Sequence, residues 1–246
     1  MKLMGYHLHS EFSYDSKMKL EALVEYAREN SLDIIVTDHY DVSSSEKFKD
    51  HTFDIEQYEK RLRELGIPMG VEFGWDCRTK IKLDLKRFDF VILAIHEYDP
   101  PADYGQKRSY LAYLEKLLYA VENVEDFHVI AHLDFPRRYN PHHEPFSKEL
   151  FPLIEEIFRK IVPDGKGIEV NTDPIYSSYG EPNPSPEIIK LFKECGGEFI
   201  TVGSDAHELK DVGKGVRSAL NILKEVGFKY VSVFRNGRWE KEKIDL

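Results

Sequence analysis

Short apolar runs that end in a histidine or an acidic residue recur along this chain of 246 residues. The first run leads into His7-Leu8-His9, a later one ends at His96, and another leads into Gly203-Ser204-Asp205-Ala206-His207. Runs of this length, separated by segments with helical periodicity, are typical of a parallel sheet covered by helices on both faces. The pattern therefore predicts an α/β fold with ionisable side chains gathered at one end of its strands.

The strand and helix pattern predicts a distorted (β/α)7 TIM-like barrel with a C-terminal β-hairpin. The predicted strands are Lys2–Leu8, Asp33–Thr37, Pro68–Phe73, Phe90–Ile95, His128–Ala131, Gly167–Val170 and Phe199–Val202. The predicted helices are Leu20–Asn30, Ile55–Leu65, Ser109–Val121, Pro152–Ile161, Pro186–Lys193 and Gly213–Val226. Tyr230–Phe234 and Arg238–Lys241 flank Asn236-Gly237, which is a hairpin signal. No composition break divides residues 1–246, so we expect a single domain.

Composition and charge exclude several classes of protein. The net charge of −10 argues against a large nucleic-acid surface, which needs clustered Lys and Arg. No apolar run approaches the roughly 18 residues of a membrane span, and the N-terminus lacks a signal-peptide pattern. Only Cys77 and Cys195 are present, so no disulfide framework is expected. We expect a cytoplasmic protein without nucleic-acid or membrane partners, and the sequence leaves its oligomeric state open.

Nine histidines and acids are candidate metal ligands, and nearly all of them follow an apolar run. They are His7, His9, Asp15, His39, Glu72, His96, His132, Asp205 and His207. Imidazole and carboxylate groups suit zinc, iron or manganese. At roughly four ligands per tetrahedral ion, with one carboxylate shared, the set indicates two or three divalent ions. Each residue alone could be an ordinary buried or surface side chain. Their placement after several strands, at the barrel end where active sites lie, predicts a metal centre.

Cationic side chains near these ligands are candidates for binding an anionic group of a substrate. Arg137 and Arg138 follow His132 closely, and we rank Arg138 first. Lys107 and Arg108, which come after His96, could take the same role. A solvated basic turn is the alternative interpretation of the arginine pair.

The complete set of motifs resembles the PHP (polymerase and histidinol phosphatase) family. The resemblance runs from His7 to about Phe234 and is carried by motifs along that whole stretch. These are the HxH pair, Thr37-Asp38-His39, Glu72, His96, His132 and Gly203-Ser204-Asp205-Ala206-His207. It implies a three-metal arrangement. One ion would be held by His7, His9, Glu72 and Asp205, the second by Glu72, His96 and His132, and the third by Asp15, His39 and His207.

The resemblance also implies a metal-dependent phosphomonoesterase. The implied reaction converts L-histidinol phosphate to L-histidinol and phosphate in histidine biosynthesis, with a metal-bridged hydroxide as the nucleophile. Arg138 would offset charge on the phosphate oxygens, and Asp205 or His207 would help to move a proton to the leaving group.

One segment departs from the family pattern and keeps other functions open. The family often carries a second arginine after the Asn171-Thr172 element, but the loop at residues 173–179 has none. A nucleotide or another small phosphate ester is therefore an alternative substrate. A metal-dependent amide or lactone hydrolase and a non-catalytic metal-stabilised module are further alternatives.

Overall fold

A six-stranded parallel sheet forms most of the framework, in the order β3-β4-β5-β6-β7-β8. The structure is a computed structural model that describes residues 2–98 and 106–246, without the side chains of residues 106 and 107. The strands are β1 (Leu3–Gly5), β2 (Leu32–Ile34), β3 (His39–Val42), β4 (Gly70–Trp75), β5 (Phe90–Ala94), β6 (Val129–Ile130), β7 (Gly167–Asn171), β8 (Ile200–Gly203), β9 (Tyr230–Arg235) and β10 (Arg238–Lys243). The helices are α1 (Leu20–Glu29), α2 (Ile55–Leu65), α3 (Gln106–Asn123), α4 (Phe151–Ile161), α5 (Asp173–Ser177), α6 (Pro186–Glu194) and α7 (Val216–Val226).

The parallel pair β1-β2 closes this sheet into a ring. Beyond β2, Val36 bridges Met69 at the start of β4, so β2 and β3 occupy one position of the ring. On the other side, the Tyr6 N–H donates to the Val202 carbonyl at 3.3 Å. The ring therefore has seven strand positions with all carboxyl ends on one side, in agreement with the predicted α/β class and (β/α)7 arrangement.

The helices cover the ring because each presents one apolar stripe to it. In α1 the buried residues are Leu20, Leu23, Val24 and Ala27, which recur at helical spacing. The strands of the ring are almost entirely buried, as expected for a sheet covered on its outer face. The polar side chains at the carboxyl ends are therefore held on a rigid, close-packed support.

The predicted elements differ from the structure in a few places. The second strand ends at Ile34 instead of Thr37, and His39–Val42 forms a strand that the pattern did not predict. Residues 173–179 were expected to be a loop, but Asp173–Ser177 forms a short helix with proline in its first turn. The hairpin β9-β10 is confirmed, and its turn at Asn236-Gly237 has positive φ angles at both residues.

The hairpin packs against the amino end of the barrel, opposite the histidines. Trp239 makes edge contacts with Tyr6, Phe199 and Phe234, with ring centroids 4.9–5.9 Å apart. Its ring also lies 5.0 Å from that of Phe90. In the part of the chain that the structure describes, no helix has the length and apolar character needed to cross a bilayer.

Candidate metal centre

Glu72 lies at the middle of the candidate site, on β4, and is fully buried. Its Oε1 atom lies 3.1 Å from Nε2 of His96 and 2.9 Å from Nε2 of His132. Its Oε2 atom lies 3.0 Å from Nε2 of His7 and 3.0 Å from Nδ1 of His39. One carboxylate is therefore surrounded by four imidazoles that come from four different strands or strand ends.

The remaining candidates extend this cluster towards solvent. Nε2 of His9 lies 3.0 Å from Oδ1 of Asp205. Asp15 lies 3.2 Å from Nε2 of His207 and 3.5 Å from Nε2 of His39. All nine predicted ligands are thus brought into one continuous group, in which Asp15 and His207 are the more exposed members.

The side chains of the cluster are placed to bind cations, and they do not satisfy one another fully by hydrogen bonds. Four triplets of ligand atoms have their members within 4.8 Å of one another, namely His9-His39-His207, His7-His9-Glu72, His39-Asp41-His96 and Glu72-His96-His132. His7 Nε2 and His39 Nδ1 each lie 3.0 Å from Glu72 Oε2, but the angles of these contacts do not fit hydrogen bonds. Within the described ranges, these three buried atoms therefore have no hydrogen-bond partner. Buried polar atoms without partners are costly, and a divalent cation would satisfy them together. The donor set therefore fits metal binding.

Two carboxylates that the sequence analysis did not identify contact the ring nitrogens of His7 and His96 that face away from Glu72. Nδ1 of His7 lies 2.5 Å from Oε1 of Glu169, and Nδ1 of His96 lies 2.9 Å from Oδ1 of Asp41. Such contacts orient a ligating imidazole and make it more basic. Glu169 sits in the apolar strand Gly-Ile-Glu-Val-Asn, and an acid in so apolar a run was the signal that could have identified it.

The third imidazole with a fixed orientation is that of His9. Its Nδ1 atom lies 3.0 Å from the Ser13 hydroxyl, which donates to Asp38 at 2.8 Å. Asp38 also accepts from the Ser10 backbone N–H and hydroxyl. Burial raises the pKa of Asp38, whereas these hydrogen bonds act in the opposite direction. Asp38 of the Thr-Asp-His motif thus anchors the loop that carries His9.

Two glycines allow the supporting groups to approach this closely. A Cβ atom on Gly74 would lie 1.8 Å from Oδ1 of Asp41 and 2.9 Å from Nδ1 of His96. A Cβ atom on Gly203 would lie 2.3 Å from Cβ of His7. A larger residue at either position would displace an imidazole.

The cluster is strongly coupled electrostatically. Burial opposes protonation of His7 and His39, yet neighbouring carboxylates hold the pKa of both rings well above the ordinary value. The pKa of His96 is raised to about 9, where Asp41 and Glu72 outweigh burial. Burial lowers the pKa of His9 to about 3. In the metal-free protein, part of the carboxylate charge is therefore balanced by protonated imidazoles.

Arg138 lies directly beside the cluster. Its Nη2 donates to Oδ2 of Asp205 at 2.9 Å and lies 3.8 Å from Asp173. The same Asp205 oxygen accepts from Nδ2 of Asn171 at 3.0 Å. The Arg138 side chain is 28% exposed, so a cationic group reaches from the metal cluster into the cavity above it.

The other predicted cations are placed differently. Arg137 is buried, and its guanidinium forms ion pairs with Asp134 at 3.2 Å and with Glu181 at 2.5 Å. Arg108 is exposed on α3 and does not line the cavity, and the Lys107 side chain lies outside the described residues. Among the predicted cations whose side chains the structure describes, only Arg138 lines the cavity over the cluster.

A cavity of about 430 Å³ opens over the cluster. Besides the candidate ligands and Arg138, it is lined by polar and aromatic residues that include Tyr14, Ser43, Lys47, Phe48, Lys49, His51, Trp75, Phe135 and Tyr139. Lys47 and Lys49 were not predicted as site residues. They lie on the segment after β3, which sequence patterns left unassigned.

The fold and the site define an α/β barrel with a cluster of candidate metal ligands, which a guanidinium faces from the cavity wall. Comparison with known proteins identifies the family of this barrel. The model of the PHP domain family matches residues 5–173. The chain belongs to the PHP domain family.

Two relatives that match nearly the whole chain have histidinol-phosphatase in their names. A Thermotoga maritima protein named "Probable histidinol-phosphatase" is 33% identical over 94% of this chain and 95% of its own. The Lactococcus lactis "Histidinol-phosphatase" is 31% identical over 100% of this chain and 99% of its own. A crystal structure of the Lactococcus lactis histidinol phosphate phosphatase, complexed with zinc, L-histidinol and phosphate, superposes with a TM-score of 0.83. That structure is 28% identical and covers 98% of this chain and 99% of its own.

Proposed function

We propose that this protein is a metal-dependent phosphatase that hydrolyses L-histidinol phosphate to L-histidinol and phosphate. The observation that carries the proposal is the position of Arg138, 2.9 Å from Asp205 at the edge of the histidine and carboxylate cluster. It offers a fixed positive charge where a phosphate above the cluster would lie. The full-length similarity to proteins named histidinol-phosphatase supports the choice of substrate.

The nine clustered residues are the proposed ligands of three divalent ions. His7, His9, Glu72 and Asp205 would hold one, Glu72, His96 and His132 the second, and Asp15, His39 and His207 the third. The triplets His7-His9-Glu72 and Glu72-His96-His132 support the first two groups. The contacts of Asp15 with His39 and His207 support the third. When bound, such ions supply Lewis acidity and lower the pKa of water.

The chain itself supplies binding, orientation and a proton. Arg138 would turn from Asp205 to the phosphate oxygens and offset the charge that develops on them. Asn171 would then keep its hydrogen bond to Asp205 and hold that carboxylate in place. Asp205 or His207, both of which line the cavity, would help to move a proton to the leaving alkoxide.

A panel of substrates tests this proposal. The purified protein would be loaded with zinc or manganese and assayed on L-histidinol phosphate, nucleoside monophosphates, glycerol phosphate, an amide and a lactone. We expect the highest kcat/KM for L-histidinol phosphate, and loss of activity with Glu72→Ala. Preferential hydrolysis of a nucleotide, an amide or a lactone would assign a different substrate class. Unchanged turnover by Glu72→Ala would refute the proposed metal centre.

A further inference from the structure

We propose that Tyr14, His51 and Tyr139 form an aromatic clamp that binds the imidazole ring of the substrate and so determines specificity. This inference rests on the proposed function and adds the residues that recognise the part of the substrate without phosphate. The three side chains line the cavity above the metal cluster.

Tyr14 and His51 form one wall of the clamp. Their ring centroids are 3.7 Å apart with planes inclined by 16°, so they form a parallel stack. The Tyr14 side chain is nevertheless 59% exposed, and its ring lies only 5.3 Å from that of the candidate ligand His39. A large aromatic ring exposed at the mouth of a polar cavity leaves apolar area that a planar ligand would cover.

Backbone pairing ties this wall to the metal cluster. The Asp41 N–H donates to the His51 carbonyl at 2.8 Å, and the His51 N–H donates to the Asp41 carbonyl at 3.0 Å. The Asp41 carboxylate in turn contacts His96 at 2.9 Å. The position of the Tyr14-His51 stack is thus set relative to the ligands, as a specificity site requires.

Tyr139 forms the other wall. It follows β6, whereas Tyr14 follows β1, and these strands are three places apart in a ring of seven, which puts them nearly opposite each other. The Tyr139 side chain is 50% exposed and leans on Phe135 and Tyr98, with centroids 5.4 and 5.6 Å away. Tyr139 directly follows Arg138 in the chain. If Arg138 binds the phosphate of the substrate, the short carbon chain of the substrate would place its ring near the clamp.

The chemistry of L-histidinol phosphate matches this arrangement. Its imidazole is planar and carries three carbons between ring and phosphate ester. A neutral imidazole would stack on the tyrosine faces, and a protonated one would gain a cation–π attraction. Alaninol phosphate keeps the amino group and the phosphate ester but lacks the ring, so it reports on everything except the clamp.

The test compares these two substrates with the metal-loaded enzyme. Tyr14→Ala and Tyr139→Ala are each expected to lower kcat/KM for L-histidinol phosphate by about 3- to 30-fold, mainly through KM. The ratio of kcat/KM for the two substrates should fall by the same factor. Tyr14→Phe should retain most of the preference because the ring face remains. Calorimetric titration of L-histidinol in the presence of phosphate should show a matching loss of affinity. The control variant is Tyr230→Ala, which removes an equally exposed tyrosine from β9.

Three results would overturn the inference. The first is a wild-type enzyme that acts equally on both substrates, which would leave the phosphatase function intact. The second is a Tyr14→Ala variant that loses both activities in proportion with normal metal content. The third is a normal affinity of both alanine variants for L-histidinol. A wild-type enzyme that hydrolyses neither phosphate ester would instead overturn the proposed function itself.

Discussion

At the scale of single residues, the two arginines after His132 have different surroundings and should behave differently when replaced. Arg138→Ala removes a cation from the cavity, so we expect a higher KM and a kcat/KM reduced by about 10- to 1,000-fold. Metal content should stay normal, and Arg138→Lys should rescue only partly because an ammonium cannot make a planar bidentate contact. Steady-state kinetics with elemental analysis check this. Full activity of Arg138→Ala would show that the phosphate is held elsewhere.

Arg137→Ala should act on stability instead. The arginine is buried against Asp134. Burial raises the pKa of Asp134 to about 6, although the positive charge of Arg137 acts in the opposite direction. Removing the cation leaves a buried carboxylate without its partner, which typically costs about 3–5 kcal/mol of unfolding free energy. Urea denaturation of the variant measures this cost. A variant that unfolds like the wild type but has lost phosphate affinity would reverse the roles assigned to the two arginines.

Glu169 offers a test of the groups behind the ligands. Glu169→Gln keeps the shape of the side chain but removes the negative charge 2.5 Å from Nδ1 of His7. We expect metal affinity to fall by about 10- to 100-fold, as is typical for partners of ligating histidines. Competition with a chelator measures the affinity, and Glu187→Gln, a change at an exposed acid on α6, is the matched control. Equal affinities in the two variants would contradict the orienting role.

The elements of the fold were predicted more completely than the contacts behind the site. Helices such as Ile55–Leu65 have strong periodicity and clear ends, and the structure gives the same bounds. The strand His39–Val42 was missed because its residues are mostly polar, and it forms by pairing with β4. Asp41 was missed for a related reason, because its role depends on His96 of another strand, which a linear pattern does not contain. Glu169 did have a signal, as an acid within an apolar run, but the sequence does not show that it faces His7.

The C-terminal hairpin gives a prediction at the same scale. Trp239 on β10 packs on the rings of Tyr6, Phe90, Phe199 and Phe234 under the barrel and is only partly buried. Trp239→Ala should therefore lower the unfolding free energy by roughly 2–4 kcal/mol, while metal content and kcat stay near wild type. Urea denaturation and kinetics check this, with the neighbouring exposed Arg238→Ala as control. A loss of metal without a loss of stability would mean that the hairpin acts on the site directly.

For the whole molecule, metal binding and protonation should be linked. The pKa values of His7 and His39 are raised well above the ordinary value in the metal-free protein, and that of His96 to about 9. A histidine must be neutral to bind a metal, so each of these rings releases a proton when metal binds. Affinity should therefore increase as the pH rises towards about 9, where His96 loses its proton in the metal-free protein. Chelator competition at several pH values measures the slope. An affinity that is independent of pH would contradict the coupling.

Removing the metals should also lower global stability, because ligands from several strands around the ring would lose a common partner. At a free metal concentration of about 100 times Kd, bound metal stabilises the fold by about 2.7 kcal/mol per site. For a chain of this length that corresponds to roughly 5–10 °C in Tm. Thermal unfolding before and after chelation, with metal restored as the control, checks this. An unchanged Tm after verified metal removal would exclude the stabilising role.

The ring closure between β1 and β8 has a consequence for protein synthesis. His9 and Asp205 are proposed ligands of one ion and lie 3.0 Å apart, yet they are separated by 196 residues in the chain. At about 5–20 residues per second, the early histidines wait roughly 10–40 s for their last partners. During that interval β1 has no β8 to pair with, and His7 and His9 can hold a metal only loosely. We therefore expect complete metal loading to be one of the last events in the maturation of this protein.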